Sequence, residues 1–350
     1  MTLIKKITKN QLFLPLFSMV LVMLVNIIYD VANGNPAFNF FSISINNGIL
    51  YGRLIDILNR GSEAAILALG MTLVVSSSAG TDISVGSVMS LAGGVCCVLL
   101  AGFGNVNVSE YAIPLWLGIL AGILVACLCG AFNGFLVAGL KIQPMVATLI
   151  LLTAGRGIAM LITKGQNVTV YYEPFTYIGT TIPGSPLPTT IFIAALMVLF
   201  VVLIQKKTSV GLFVQAVGIN ANAARRTGLK VSSIIFMVYV FSGICAGIAG
   251  LMESSMIAAA DPNNAGLNME MDAILSVALG GTLLSGGKFY IGGSIIGAIT
   301  IQTMTTTLYA LGVSSEQLPV YKALVVILIC LLQSEKFKGV LEKRTAEKAV

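Results

Sequence analysis

Histidine is absent from the 350 residues. The chain therefore lacks the commonest general base and the commonest protein metal ligand. Charge is scarce too: Asp, Glu, Lys and Arg make up 10% of the residues, where a soluble domain carries about 25%. The six cysteines, Cys96, Cys97, Cys127, Cys129, Cys245 and Cys330, form no C-x-x-C pair, so neither a zinc nor a dithiol redox site is indicated. All six sit in apolar runs, which predicts simple packing. A nucleotide-binding loop is missing as well. The stretch GGTLLSGGKF (280–289) approaches the phosphate-loop pattern, but its first glycine is one residue too distant and Phe289 stands where a magnesium-ligating hydroxyl belongs. If ATP drives this protein, another polypeptide holds it. With no histidine and no clustered acid pair, a membrane-embedded enzyme has little to work with.

What is present is apolar: 57% of the residues are hydrophobic and the mean hydropathy is +0.95. At about 20 residues per span, the runs predict an all-α polytopic membrane protein with about ten transmembrane helices (eight to ten). Residues 1–350 then form one integral transmembrane domain. The net charge of +6 does not point to nucleic acid, because the bases punctuate the apolar runs as the positive-inside rule requires. The N-terminal MTLIKKITKN precedes apolar residues 11–29. That run exceeds the roughly 7–15 residues of a signal-peptide core and reads as a retained first helix.

Expected spans are 11–30, 61–75, 85–103, 111–138, 145–163, 189–205, 231–252, 271–284, 289–311 and 318–333. With the N-terminus cytoplasmic and one crossing per span, Lys5, Lys6, Lys9, Lys141, Lys206, Lys207, Arg225, Arg226, Lys230, Lys288, Lys336, Lys338, Lys343, Arg344 and Lys348 fall inside. That is 15 of 20 bases. The outer loops hold mostly acids: Asp30, Asp56, Glu110, Glu173, Glu253, Asp261 and Glu316. Both termini are then cytoplasmic, with 205–230 as a cytoplasmic loop and 334–350 as a cytoplasmic tail. The sequons at Asn107 and Asn167 matter only in a eukaryotic secretory pathway.

The stretch ALGMTLVVSSSAGTDISVGSVMSLAGG (68–94) breaks an apolar run with three serines and Asp82. Bilayer interiors tolerate loose backbone only inside protein or beside water, and an ionisable residue there marks a functional site by default. Asp82 or Ser84 can cap the helix that follows. The hydroxyls of Ser76, Ser77, Ser78, Thr81 and Ser84, with the Asp82 carboxylate, can hydrogen-bond a polyhydroxylated solute. Two spans, 61–75 and 271–284, look too short. They share ALGMTL (68–73) and ALGGTL (278–283), each followed by a Gly-Ser-aliphatic step, at Gly86 and Gly293. Short, glycine-broken segments in matching halves point to a transporter's binding site, with broken or short helices near 76–86 and 284–293. The simple span count makes the two run the same way. Pairs at small-xxx-small spacing, Gly118/Gly122, Gly130/Gly134, Gly243/Gly247 and Gly293/Gly297, predict close helix contact. Arg156 lies too deep in its span to reach an interface, so it needs a partner, Asp82 first and Asp272 next, or faces the cavity. Val214–Leu229 in the basic loop is helix-compatible, a short helix for a cytosolic partner or a solvated loop.

GMTLVVSSSAGTDISVGSVMSLAGG, KIQPMVATLILLTAGRGIAMLITKGQ, GLFVQAVGINANAARRTG and SVALGGTLLSGGKFYIGGSIIGA together resemble the membrane permeases of bacterial ribose/xylose/galactose-type ABC importers. The likeness covers about residues 50–335. IDILNRGSEAAILALGMT, KIQPMVATLIL and ADPNNAGLNMEMDAIL look most like galactofuranose permeases. The resemblance implies a non-catalytic subunit of a dimer, formed with an identical chain or a paralogue. It also implies a cytosolic ABC ATPase subunit below, an extracytoplasmic sugar-binding protein above and a monosaccharide substrate. No cofactor or nucleic acid is implied. Such permeases carry an E-A-A-x-x-x-G coupling loop; here Asn222-Ala223-Ala224-Arg225-Arg226-Thr227-Gly228 matches, with asparagine replacing glutamate. Where the family reads something like GGIDLSVG this chain reads AGTDISVG, so Thr81 replaces an apolar residue. Ser78, Thr81, Asp82, Ser84, Arg156 and Asp272 are the expected substrate-path residues. An ion-coupled secondary transporter is the rival reading, kept alive by Asp82 and Asp272.

Overall fold

The structure, a computed structural model, describes residues 13–32, 34, 39–46, 48–108 and 111–333. The expected tail 334–350, Lys5, Lys6, Lys9, Glu110 and part of the first sequon lie outside these residues, as does the side chain of Cys330. The helices, in order, are α1 (Phe13–Ala32), α2 (Arg53–Ser78), α3 (Val85–Ala101), α4 (Leu115–Gly134), α5 (Pro144–Ile162), α6 (Glu173–Thr176) and α7 (Thr189–Lys207). They continue with α8 (Val210–Ile219), α9 (Ala221–Arg226), α10 (Val231–Met256), α11 (Met269–Leu279), α12 (Ile291–Ala310) and α13 (Leu318–Gln333). Among the described residues six are long and apolar enough to cross a membrane: α1, α2, α4 with its continuation to Gly139, α5, α7 and α10.

α2 is the axis of the bundle: 89% of its span window is buried, against 17% for α7 and 28% for α4 and α5, whose apolar faces point outward. The expected short span 61–75 is thus corrected to a 26-residue helix. Asp56, Arg60 and Glu63 lower the hydropathy of its first half, yet Glu63 is only 4% exposed. Glu63 packs inside protein rather than against lipid, while Asp56 and Arg60 stay exposed on the first turns of the helix. α10 likewise runs on to Met256 and takes in Glu253, which the hydropathy pattern places in an outer loop.

Close contacts hold the helices, as expected where lipid supplies no hydrophobic drive between them. A Cβ on Gly243 of α10 would collide with the Ala126 carbonyl of α4, and one on Gly130 would lie 3.1 Å from the Gly243 Cα. Gly293 and Gly297 at the start of α12 meet the carbonyls of Gly280 and Ser276 in the same way. Each predicted small-residue pair is therefore a helix contact. Three serine or threonine hydroxyls in the last turns of α2 (Thr72, Ser76 and Ser78) bond back to the carbonyl four residues earlier. This satisfies polar side chains within the buried helix itself, and Thr72 also donates to the Ser294 hydroxyl of α12 at 2.8 Å.

The two ends of the bundle differ. At one, β3 (Asn107–Val108), β4 (Val168–Val170) and β5 (Ala259–Ala260) form a small sheet. A hairpin, β1 (Ser44–Asn46) with β2 (Ile49–Tyr51), is the only other sheet among the described residues. At the opposite end the turn after α2, the 280–290 loop and the α8–α9 segment converge. The Gly287 N–H donates to the Ser76 carbonyl at 2.9 Å, and a Cβ on Gly218 would strike both.

Breaks are present where the sequence expects them, after Ser78 and between Leu279 and Ile291. Their sequence kinship is misleading, however. ALGMTL lies in the interior of α2, while ALGGTL straddles the end of α11. The closer counterpart of α2–turn–α3 is α10–loop–α11. Both begin with a 26-residue helix, both continue through a non-helical stretch into a shorter helix, and they run in opposite directions. Their second helices start against each other, with Gly86 of α3 on the carbonyl of Gly266 just before α11.

Candidate functional site

Asp82 occupies the turn between α2 and α3 and is 2% exposed. Its Oδ1 accepts from the Ser84 hydroxyl at 2.6 Å and the Ser84 amide at 3.1 Å, and its Oδ2 from the Ser242 hydroxyl of α10 at 3.0 Å. Ser84 in turn accepts from Asn133 Nδ2 of α4 at 2.8 Å. The Ile83 amide donates to Thr148 of α5 at 3.2 Å. The stretch just before α3 is thus tied to three other helices by a polar knot. Asp82 holds the amide just before that helix rather than those of its first turn, and the Ser84 hydroxyl donates instead of capping. Thr81 Oγ1 is buried without a partner among the described residues. Ser78 stands 3.4 Å from the Tyr239 hydroxyl. Sequence reasoning missed Asn133, Ser242, Thr148 and Tyr239. The available signal was a lone polar residue inside an apolar run, clearest for Asn133 in CGAFNGF.

The expected pairing of Arg156 with Asp82 or Asp272 is corrected. Arg156 lies twelve residues into α5, about 18 Å along the helix from Pro144. Its Nη1 donates to the carbonyls of Pro262 and Asn263 at 3.3 and 2.6 Å, and its Nη2 to Ala265 at 3.1 Å. These carbonyls belong to the stretch between β5 and α11, which turns back from the sheet end into the bundle. Such backbone has no helix to satisfy it, and a guanidinium with five donors and no acceptor matches a row of carbonyls. Glu253 Oε2 accepts the Gly266 amide at 2.9 Å, and Asp261 Oδ1 accepts the amides of Asn263 and Asn264. The stretch is therefore clamped through both kinds of backbone group. Asp272 pairs with Lys322 of α13 at 2.7 Å, binding the short α11 to the last helix. The path residues do not gather: Ser78, Thr81, Asp82 and Ser84 share the α2–α3 turn, while Arg156 and Asp272 serve other joints.

The expected coupling motif, 222–228, is a short helix with both ends fixed. Asn220 Oδ1 accepts from the amides of Asn222 and Ala223 at 3.1 and 3.0 Å, capping α9. At the other end Leu229 N donates to the Ala224 carbonyl and Gly228 N to that of Arg225, both at 3.1 Å. This Schellman arrangement needs a left-handed residue, and Gly228 has φ +89°. Ala224 is buried against Val217 and Val231, while Asn222, Ala223, Arg225 and Arg226 are exposed. The two alanines differ in role: Ala224 seats the helix and Ala223 belongs to its free face. Asn220, the cap, went unread, although an asparagine just before an Ala-rich stretch is a helix-start signal.

Beside α9 lies a cavity of about 340 Å³, walled by the α2–α3 turn, the α4–α5 turn and residues 217–221. Among the described residues no group of three or more Cys, Asp or Glu side chains could hold a metal ion.

Comparison with known proteins shows the family. Residues 53–333 match the family described as branched-chain amino acid transport system / permease component. The chain is 43% identical over 301 residues to the galactofuranose transporter permease protein of Escherichia coli (strain K12), covering 85% of this chain and 84% of that one. It is 38% identical to the fructose import permease protein of Bifidobacterium longum (strain NCC 2705), covering 95% and 90%. The ribose import permease protein of Escherichia coli (strain K12) is 35% identical, covering 90% and 93%. No solved structure matches. The chain belongs to this family of multi-pass membrane permease components, which are the non-catalytic subunits of ABC transporters.

Proposed function

We propose that the chain is the membrane subunit of an ATP-driven monosaccharide importer, working with a cytosolic ABC ATPase, an extracytoplasmic sugar-binding protein and a second permease chain. One observation supports this reading above the others: the capped helix α9, the α2–α3 turn and the 280–290 loop meet at one end of the bundle, joined by Ser76, Gly218 and Gly287. A partner that moves α9 moves both breaks. That is the mechanical link an ATP-driven transporter requires, because a ligand or partner shifts an equilibrium only through contacts that differ between its states.

In this mechanism the converging end is cytoplasmic, both termini are cytoplasmic, and residues 205–230 form the coupling loop. The sheet end faces the binding protein. The helices beyond the six long apolar ones, α3, α11, α12 and α13, complete a bundle of about ten membrane-embedded helices. Sugar passes between two permease chains along surfaces shaped by the two breaks. Asp82 and Arg156 set those surfaces by holding the start of α3 and the returning stretch before α11. The relatives' names put galactofuranose, fructose and ribose first among candidate substrates.

Transport into proteoliposomes holding the permease, its ATPase and its binding protein tests the reading. Uptake should require ATP and persist after proton and sodium gradients are collapsed. Uptake that needs a gradient and ignores the ATPase would establish the ion-coupled alternative instead.

A further inference from the structure

The cavity beside α9 is bounded by the segments that the proposed mechanism moves. Ser77, Ser78, Lys141, Gln143, Gly218 and Asn220 are among its lining residues. At about 340 Å³ it falls within the usual range of binding pockets, roughly 300–1,000 Å³.

Its walls are conformationally unusual. Five non-glycine residues among those described have positive φ, and two of them, Ala79 at +50° and Lys141 at +58°, line this cavity. Left-handed backbone at non-glycine residues is strained and concentrates at functional sites. The α4–α5 turn also begins with a π-helical stretch, Phe135–Gly139, a second device common at such sites.

Charge is one-sided here. The described segments at this end carry Lys141, Lys206, Lys207, Arg225, Arg226, Lys230 and Lys288, and their one acid, Asp82, is sealed in the knot. Lys141 is exposed and has no ion pair among the described residues. The 19-residue α5 begins at Pro144 on the same wall, so its dipole adds to the positive field.

We propose that this cavity is a second seat for the cytosolic ATPase, beside α9, and that it receives an Asp or Glu side chain of that ATPase which pairs with Lys141. The inference rests on the ATP-driven reading above. A docked acid would join the α4–α5 turn to the coupling segment, so that ATPase closure would act on α5, and through Arg156 on the returning stretch, as well as on α9.

The test uses the permease–ATPase complex in nanodiscs and a water-soluble carbodiimide, which joins a lysine amine to a carboxylate already in contact with it. Mass spectrometry should find a Lys141 peptide amide-linked to an Asp or Glu of the ATPase, with the yield reduced several-fold at 1 M salt. Lys141→Gln should weaken ATPase binding about three- to tenfold, Lys141→Arg should recover most of it, and the permease alone should melt at an unchanged temperature. A complex that co-purifies and cross-links through other lysines but never through Lys141 overturns the proposal. So does a Lys141 link to the second permease chain, or a phospholipid retained at Lys141 with no ATPase link. If no ATPase co-purifies, the ATP-driven reading falls, and this inference with it.

Discussion

Asp82 and Arg156 show two solutions to keeping charge inside a membrane bundle. Asp82 is satisfied by hydroxyls and an amide drawn from its own turn and from α10; Arg156 is satisfied by three backbone carbonyls. Neither uses the other. Removing a buried acceptor strands its donors, which costs about 1–3 kcal/mol. Asp82→Ala should therefore lower the melting temperature of the purified permease and impair uptake, with Asp82→Asn milder in both. Normal melting and normal uptake in Asp82→Ala would show the knot to be incidental. Arg156→Lys keeps the charge but loses the planar fork that spans several carbonyls. A cysteine placed at Asn263 should then react with a soluble maleimide several-fold faster than in the parent, and equal rates would contradict the clamp.

At the scale of elements, α9, the proposed coupling helix, is six residues long, too short to persist without its ends. Asn220→Ala should destabilise it by about 1 kcal/mol and reduce sugar-stimulated ATPase activity severalfold, with Asn220→Ser close to the parent. Gly228→Val forces a β-branched residue into φ +89°, and Ala223→Asp puts charge on the free face. Both should uncouple ATP hydrolysis from uptake while membrane insertion is retained. Unchanged stimulation in the reconstituted complex would refute the role given to this helix. The motif itself was legible in the sequence, because its glycine and alanines have local causes: a left-handed cap and a small buried contact. The cap at Asn220 was legible too, but only to a reading that looked two residues upstream of the motif.

For the whole molecule, the test is sidedness. Lys141 and Lys288 replaced by cysteine should be labelled by an impermeant reagent only from the ATPase side, and Tyr171 or Ile182 only from the other. Labelling of all four from one side would discard the crossing scheme. Gly218→Val, at the point where three segments touch, should abolish ATP-dependent uptake to below roughly a tenth of the parent. Overpacking at a site with only backbone around it leaves no side chain to yield.

The sequence alone determined the class of the protein. An apolar composition with few charges and no histidine admits little but an embedded helical bundle, since backbone groups in lipid must be satisfied within helices. It also determined the breaks, the small-residue contacts and the glycine-terminated helix at 221–226, because each depends on residues close along the chain. Tertiary structure decided the partners. Arg156 finds its carbonyls more than a hundred residues away, and Asp272 finds Lys322 fifty residues on. It also decided that α2, charged in its first half, is the buried axis. Hydropathy scores a residue against lipid, whereas α2 is surrounded by other helices, a neighbourhood that only the folded arrangement supplies.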